Sequence, residues 1–181
     1  MSKEDNPMRK LKLAKVVVNM AVGESGERLA NAVKVLQELT GQKPLLRPAK
    51  RTIKEFGIRK GENIACMVTL RGEKALNFLK KALEAINYTI EEKSIDNFGN
   101  VSFGVREHIV LPGVKYDPSI GIFGFDVTIV LERPGFRVAR RRRKRSKIGK
   151  KHRIIPREET AKFLKEFLNI KVVAKRVSLY G

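Results

Sequence analysis

The chain has 181 residues, 42% of them apolar, enough for one sizeable hydrophobic core and an argument for a single domain over 1–181. Its 39 Lys and Arg against 19 Asp and Glu leave a net charge of +20, and so large an imbalance calls for a polyanionic partner, nucleic acid first. The single cysteine, Cys66, excludes an internal disulfide and fits a reducing, cytosolic compartment, while no apolar run or N-terminal signal predicts a membrane span or secretion.

The first predicted element is a strand, "KVVVNMAV" (Lys15–Val22), with Val16, Val18, Met20 and Val22 on one face and Val17, Asn19 and Ala21 on the other. A helix follows. Ser25 is its expected N-cap, Leu29, Val33, Leu36 and Leu39 recur at helical spacing beside Ala32, and Gly41 is the stop. "LLRPAKRTIKEFGIRKG" (Leu45–Gly61) reads as a basic loop. "NIACMVTL" (Asn63–Leu70) alternates as a strand, with Ile64, Cys66, Val68 and Leu70 opposite Ala65, Met67 and Thr69.

After Gly72 a second helix carries Leu76, Leu79, Leu83 and Ile86 on its apolar stripe, flanked by Ala75 and Ala82. Two more strands follow. "NVSFGV" sets Val101, Phe103 and Val105 against Asn100, Ser102 and Gly104, and "GIFGFDVTIVL" sets Phe125, Val127, Ile129 and Leu131 against Gly124, Asp126, Thr128 and Val130. The last helix starts at Pro156 with Glu158 and Glu159 in its first turn and turns Ala161, Leu164 and Leu168 inward. "NIKVV" is expected as a closing edge strand. Strands with such different faces predict an α+β fold: a mostly antiparallel sheet, helices packed on one face, an open RNA-facing side and basic loops.

The charge is concentrated. Within a basic extension over 139–155, "RRRRKRSKIGKKHR" (Arg140–Arg153) contains ten Lys or Arg and no acid, half of the net charge. The Leu45–Gly61 loop adds six cations against Glu55 alone. A solvated surface mixes both signs, so runs this pure point to RNA or DNA, with a localisation signal or an anionic membrane surface as the other readings. The exposed sheet face offers Asn19, Ala21, Thr69, Ser102, Gly104 and Thr128, small or hydrogen-bonding residues suited to the shallow RNA minor groove, with cations around it for phosphates. Arg140, Arg141, Arg142, Arg143, Lys144 and Arg145 are the candidate phosphate partners in the extension, which is expected to be poorly ordered without RNA.

Catalysis finds little support. The chain has two histidines, His108 and His152, and no HExxH, CxxC, GxSxG or Walker pattern. "GESGERLA" is a glycine-bearing turn before a helix but lacks the Lys and Ser/Thr of a nucleotide site. Glu107 and His108, as strand neighbours, would face opposite ways; Asp96 and Asp117 have no matching metal ligands; Cys66 falls on the apolar strand face. No catalytic residue, metal or cofactor is expected. An RNA-modifying enzyme would need an indispensable histidine or cysteine, and a chromatin-like or membrane-surface protein would show no preference among RNAs.

"VVNMAVGE", "LTGQKPLLRPAKRTIKEFGIRKGENIACMVTLRGEKALNFL" and "FGNVSFGVREHIVLPGVKYDPSIGIFGFDVTIVLERPGF" resemble, in order and spacing, the large-subunit ribosomal protein five family, over about Met8 to Val173. "GVREHI...YDPSIGIFG" and "RPGFRVARRRRK...IGKKHRI" resemble its archaeal and eukaryotic branch, whose eukaryotic member is large-subunit protein eleven. The resemblance implies a structural, cytoplasmic role in the large ribosomal subunit. It implies binding of 5S ribosomal RNA in the central protuberance, contact with the large ribosomal RNA and with neighbouring 5S-binding ribosomal proteins, and approach to the transfer RNA in the peptidyl site. The family's polar RNA-contacting positions match Asn19, Gln42 and Thr69. Its loop toward transfer RNA matches Leu45–Gly61, which assigns Lys50, Arg51, Lys54, Arg59 and Lys60 to that contact.

Overall fold

A computed structural model describes residues 6–114 and 117–173; the remaining residues of the expected 1–181 domain, Tyr116 of the family-like motif among them, lie outside the described residues. Strand β1 (Lys12–Ala21) leads to helix α1 (Glu27–Thr40), β2 (Leu45–Pro48), β3 (Asn63–Leu70) and α2 (Gly72–Ala85). Then come β4 (Thr89–Glu91), β5 (Asn100–Val105), β6 (Phe125–Glu132), the single turn α3 (Lys150–Arg153), α4 (Arg157–Leu168) and β7 (Lys171–Val173). The fold is α+β. Five strands form a sheet of order β2-β3-β1-β6-β5, and β4 and β7 form a separate pair.

Within the fold the chain groups into two compact units. Among the described residues, one contains 16–87, 103–114 and 117–128, the other 6–15, 88–102 and 129–173.

In the first unit, β1 and β3 are antiparallel, with Val16 opposite Leu70, Val18 opposite Val68 and Met20 opposite Cys66. All six are buried. Alternation is the cause: it sends every second side chain to the same face, and each apolar side chain removed from water contributes about 1.5–3 kcal/mol. Helix α1 lies against β3 and touches α2. Phe78 of α2 meets Phe125 of β6 at 6.2 Å between ring centres, tilted by 55°.

Several inward-facing residues differ from expectation. Val35 and Thr40 join Leu29, Ala32 and Leu36 in burial, while Val33 and Leu39 are only half-buried. In α2, Phe78 is inside and Leu76 half out. A 3.6-residue period admits a stripe rotated by one position, and only the neighbours select which rotation is buried. Ser25 does not cap α1: Gly26 occupies the N-cap position at φ 99° without a side-chain bond, and the Ser25 hydroxyl bonds Glu62 instead. Gly41 ends the helix in the left-handed conformation, as expected, its N–H donating to the Gln37 carbonyl.

In the second unit, α4 starts after Pro156 and buries Thr160, Leu164 and Leu168, with Ala161 half-buried. "NIKVV" contributes β7, which does not edge the main sheet: it pairs parallel with β4, Ile90 opposite Val172. Three-residue strands carry too little alternation to announce such a pairing. Asp96 organises the approach to β5, its carboxylate accepting from the N–H groups of Phe98 (2.8 Å) and Asn100 (2.7 Å) and from the Asn100 amide (2.6 Å). Gly99 sits at φ +76°, and a Cβ there would come within 2.8 Å of the Ile155 methyl.

Candidate nucleic-acid interface

The outer face of β1 and β3 follows from the same register that builds the core. Asn19 lies opposite Met67 and Val17 opposite Thr69, so Asn19 and Thr69 share a face one step apart along the ladder. On the next strand, Leu45 pairs with Met67 and Arg47 with Ala65, which continues this face to the sheet edge and adds a cation that sequence reasoning did not single out. Beyond Gly41 the chain turns so that Gln42 Nε2 donates to the Thr69 carbonyl oxygen at 3.4 Å. The Thr40 hydroxyl donates to the Leu36 carbonyl at 2.6 Å and lies 3.3 Å from the Gln42 carbonyl. The fold thus sets Asn19 and Thr69 on one face and brings Gln42, distant in sequence, to the Thr69 main chain. Asn19 and Thr69 are half-buried, and Gln42 is exposed.

The Leu45–Gly61 segment is not a plain loop. Its first four residues are the edge strand β2, exposed along its whole length, hence without the alternation that would have marked it. Ala49 N–H donates to the Glu62 carbonyl at 2.8 Å and Gly61 N–H to the Ala49 carbonyl at 2.9 Å, while Ile53 and Ile58 bond each other at 2.9 and 3.1 Å. Between Ile53 and Ile58, Lys54–Phe56 make a single 3-10 turn that Gly57 closes at φ 67°. Lys60 N–H donates to the Thr52 hydroxyl at 3.0 Å.

At the base, Glu62 ties the hairpin to the β1–α1 connection: its carboxylate accepts from the Ser25 hydroxyl at 2.5 Å and from the Arg59 N–H at 2.9 Å. Those two bonds, the hydroxyl first, hold the Glu62 carboxyl below its usual range. Lys50, Arg51, Lys54, Arg59 and Lys60 are all exposed, and none is within ion-pair distance of a carboxylate among the described residues. Such cations keep their charge available to a phosphate.

The basic run follows a defined path in the structure. Phe136–Ala139 form a 3-10 turn, Arg145 Nε donates to the Ala139 carbonyl at 2.8 Å, and Arg141 Nε donates to the Lys144 carbonyl at 2.8 Å. Lys144 itself is left-handed at φ 50°. Arg140 is bonded to the Glu132 carboxylate, so of the six named cations it is the one already neutralised within the protein. Arg141 to Arg145 are exposed. At the far end, the Arg153 guanidinium lies 6.0 Å from the Phe98 ring centre, and Ile155 N–H donates to the Asn97 carbonyl at 3.0 Å.

The reactive residue types serve the fold. His108 is buried in a 3-10 turn rather than a strand, and its Nδ1 accepts from the Phe123 N–H at 3.2 Å. Glu107 beside it faces out. Cys66 is fully buried, and the loss of solvation pushes its thiol up to about 11, away from thiolate chemistry. Asp117 accepts from the Ser119 N–H and hydroxyl, a local turn. No helix among the described residues is long and apolar enough to cross a membrane.

A sheet face that carries Asn19, Thr69 and Arg47, exposed cations on a braced hairpin and a buried cysteine point to the class: a basic α+β scaffold for nucleic acid. Residues 6–59 match the family described as ribosomal protein L5, and residues 63–167 match the model of that ribosomal family's C-terminus. The protein named large ribosomal subunit protein uL5 of Sulfurisphaera tokodaii is 59% identical over 168 residues, covering 93% of this chain and 95% of that one. The proteins of the same name from Aeropyrum pernix (58% identical, 93% and 88% covered) and Archaeoglobus fulgidus (56%, 88% and 89%) are similar in the same way. The chain belongs to the ribosomal protein L5 family, whose members are structural proteins and not enzymes.

Proposed function

We propose that this chain, a structural protein of the large ribosomal subunit in the cytoplasm, binds 5S ribosomal RNA through the Asn19–Gln42–Thr69 patch. In this reading the subunit location is the central protuberance, beside neighbouring 5S-binding proteins. The basic run neutralises phosphates of the large ribosomal RNA, and the hairpin reaches the transfer RNA in the peptidyl site through Lys50, Arg51, Lys54, Arg59 and Lys60. The observation that carries the reading is that Asn19 and Thr69 share the outer face of β1 and β3, opposite the packed core, with the Gln42 amide bonded to the Thr69 carbonyl. Such a face can approach a shallow minor groove closely enough to read shape and 2′-hydroxyls, while the cations position the backbone.

The test is a competition titration of the full chain with 5S ribosomal RNA against nonspecific RNA at one fixed salt concentration. Thr69→Phe and Asn19→Phe should each weaken 5S binding by an order of magnitude, ~1.4 kcal/mol, with unchanged circular dichroism. Equal affinity in a folded variant would remove the sheet face from the interface.

A further inference from the structure

Phe56 is the most exposed large apolar side chain among the described residues, at 73% of its surface. It gains nothing from that position in the isolated chain, since a phenyl ring contributes to stability only when it leaves water. Nor is it a frayed tip. Ile53 and Ile58 exchange two backbone bonds beneath it, the 3-10 turn Lys54–Phe56 fixes its backbone, and Gly57 closes the turn. The ring is held out on a frame. Around it in the hairpin stand Lys50, Arg51, Lys54, Arg59 and Lys60, so a neighbouring surface that tolerates the tip must be anionic while offering a flat apolar plane to the ring.

Nucleic acid offers both. We propose that Phe56 is a stacking platform for a nucleobase that the bound RNA leaves without a neighbour on one face, with the flanking Lys and Arg taking the adjacent phosphates. The inference rests on the reading of this hairpin as an RNA-facing element and adds its aromatic contact. A protein partner fits the observations less well, because an exposed apolar ring in a hairpin of exposed cations would need an acidic collar that also presents an apolar pocket.

The experiment uses large subunits reassembled with variant full chains and measures retention of deacylated transfer RNA in the peptidyl site. Phe56→Leu keeps the apolar character and removes the π face; it should weaken retention by roughly 5- to 100-fold, the range for loss of one base–aromatic stack. Phe56→Tyr and Phe56→Trp should retain parental affinity within about threefold, because both preserve a face for stacking. The chain contains no tryptophan, so Phe56→Trp also supplies a sole reporter in the free protein, whose emission should be quenched when transfer RNA binds at low salt.

Leu as effective as Phe would overturn the stacking and mark an apolar protein contact instead. RNA-bound but unquenched Trp would overturn it too. Replacing Lys54–Gly57 by a minimal turn separates the two levels: a loss there with none in Phe56→Leu rejects the stack and keeps the hairpin reading, whereas no loss in either rejects the hairpin reading itself.

Discussion

The hairpin over 45–61 and the run over 140–153 are alike in sequence, each dense in Lys and Arg, and are built in opposite ways. The hairpin is an extension of the sheet: its backbone bonds itself, β2 pairs with β3, and Glu62 fastens its base, so the five named cations stay exposed and outside any ion pair among the described residues. The run has no ladder to follow. Turn bonds such as Arg141 N–H to the Arg137 carbonyl are joined by its guanidinium groups, Arg141 and Arg145 reaching back to main-chain carbonyls and Arg140 to Glu132. Equal charge density therefore does not mean equal availability. Where the backbone satisfies itself the side chains are left for a partner, and where it does not, some are drawn inward.

The largest effect that would break this comparison is at the end of the run, where Ile155 is fully buried against Gly99. Ile155→Ala should destabilise the protein by about 2–5 kcal/mol in denaturant titration and expose the run to proteolysis. Removing the hairpin tip, which buries no large side chain, should leave the unfolding midpoint nearly unchanged.

Next is the salt dependence of RNA binding. Neutralising Arg141, Arg142 and Arg143 together should flatten the log-log slope by up to roughly 0.7–0.9 per lost phosphate contact, without changing which RNA is preferred. Arg140→Gln should change that slope least of the series, because its charge is already met by Glu132. A parental slope in the triple variant would return the run to a role in localisation.

A smaller, pH-dependent effect belongs to the hairpin base. The Glu62 carboxyl titrates below its usual range in the folded protein, so the tie is at full strength above the unfolded-state value and is lost as pH falls through the depressed folded value. Amide exchange at Arg59 should accelerate only in that acid window, and Glu62→Gln should abolish the dependence. Smallest of all is Cys66: with its thiol pushed up to about 11 and buried on β3, alkylation should be negligible in the native state and should follow global unfolding.

Much of this was legible in the sequence because it depends on residues close together along the chain. The two faces of β1 and β3, the stop at Gly41 and the acidic first turn of α4 follow from local periodicity and capping, and the family resemblance rests on motifs that are likewise contiguous. Asn19 and Thr69 could be placed on the outer face by alternation alone. That Gln42 joins them required the turn after α1 to bring it to the Thr69 carbonyl, 27 positions away.

Only the tertiary structure decided the rest. The edge strand β2 is exposed throughout and has no alternation to detect; β4 and β7 are three residues each and meet across the chain; Ser25 finds Glu62 rather than a helix end. Val35 in place of Val33 inside α1 was settled by the sheet it packs on. Periodicity tells a residue's side of its own element, a local steric matter, but which element covers that side, and which cation is met by a carboxylate before RNA arrives, are set by pairings between distant segments that no local pattern encodes.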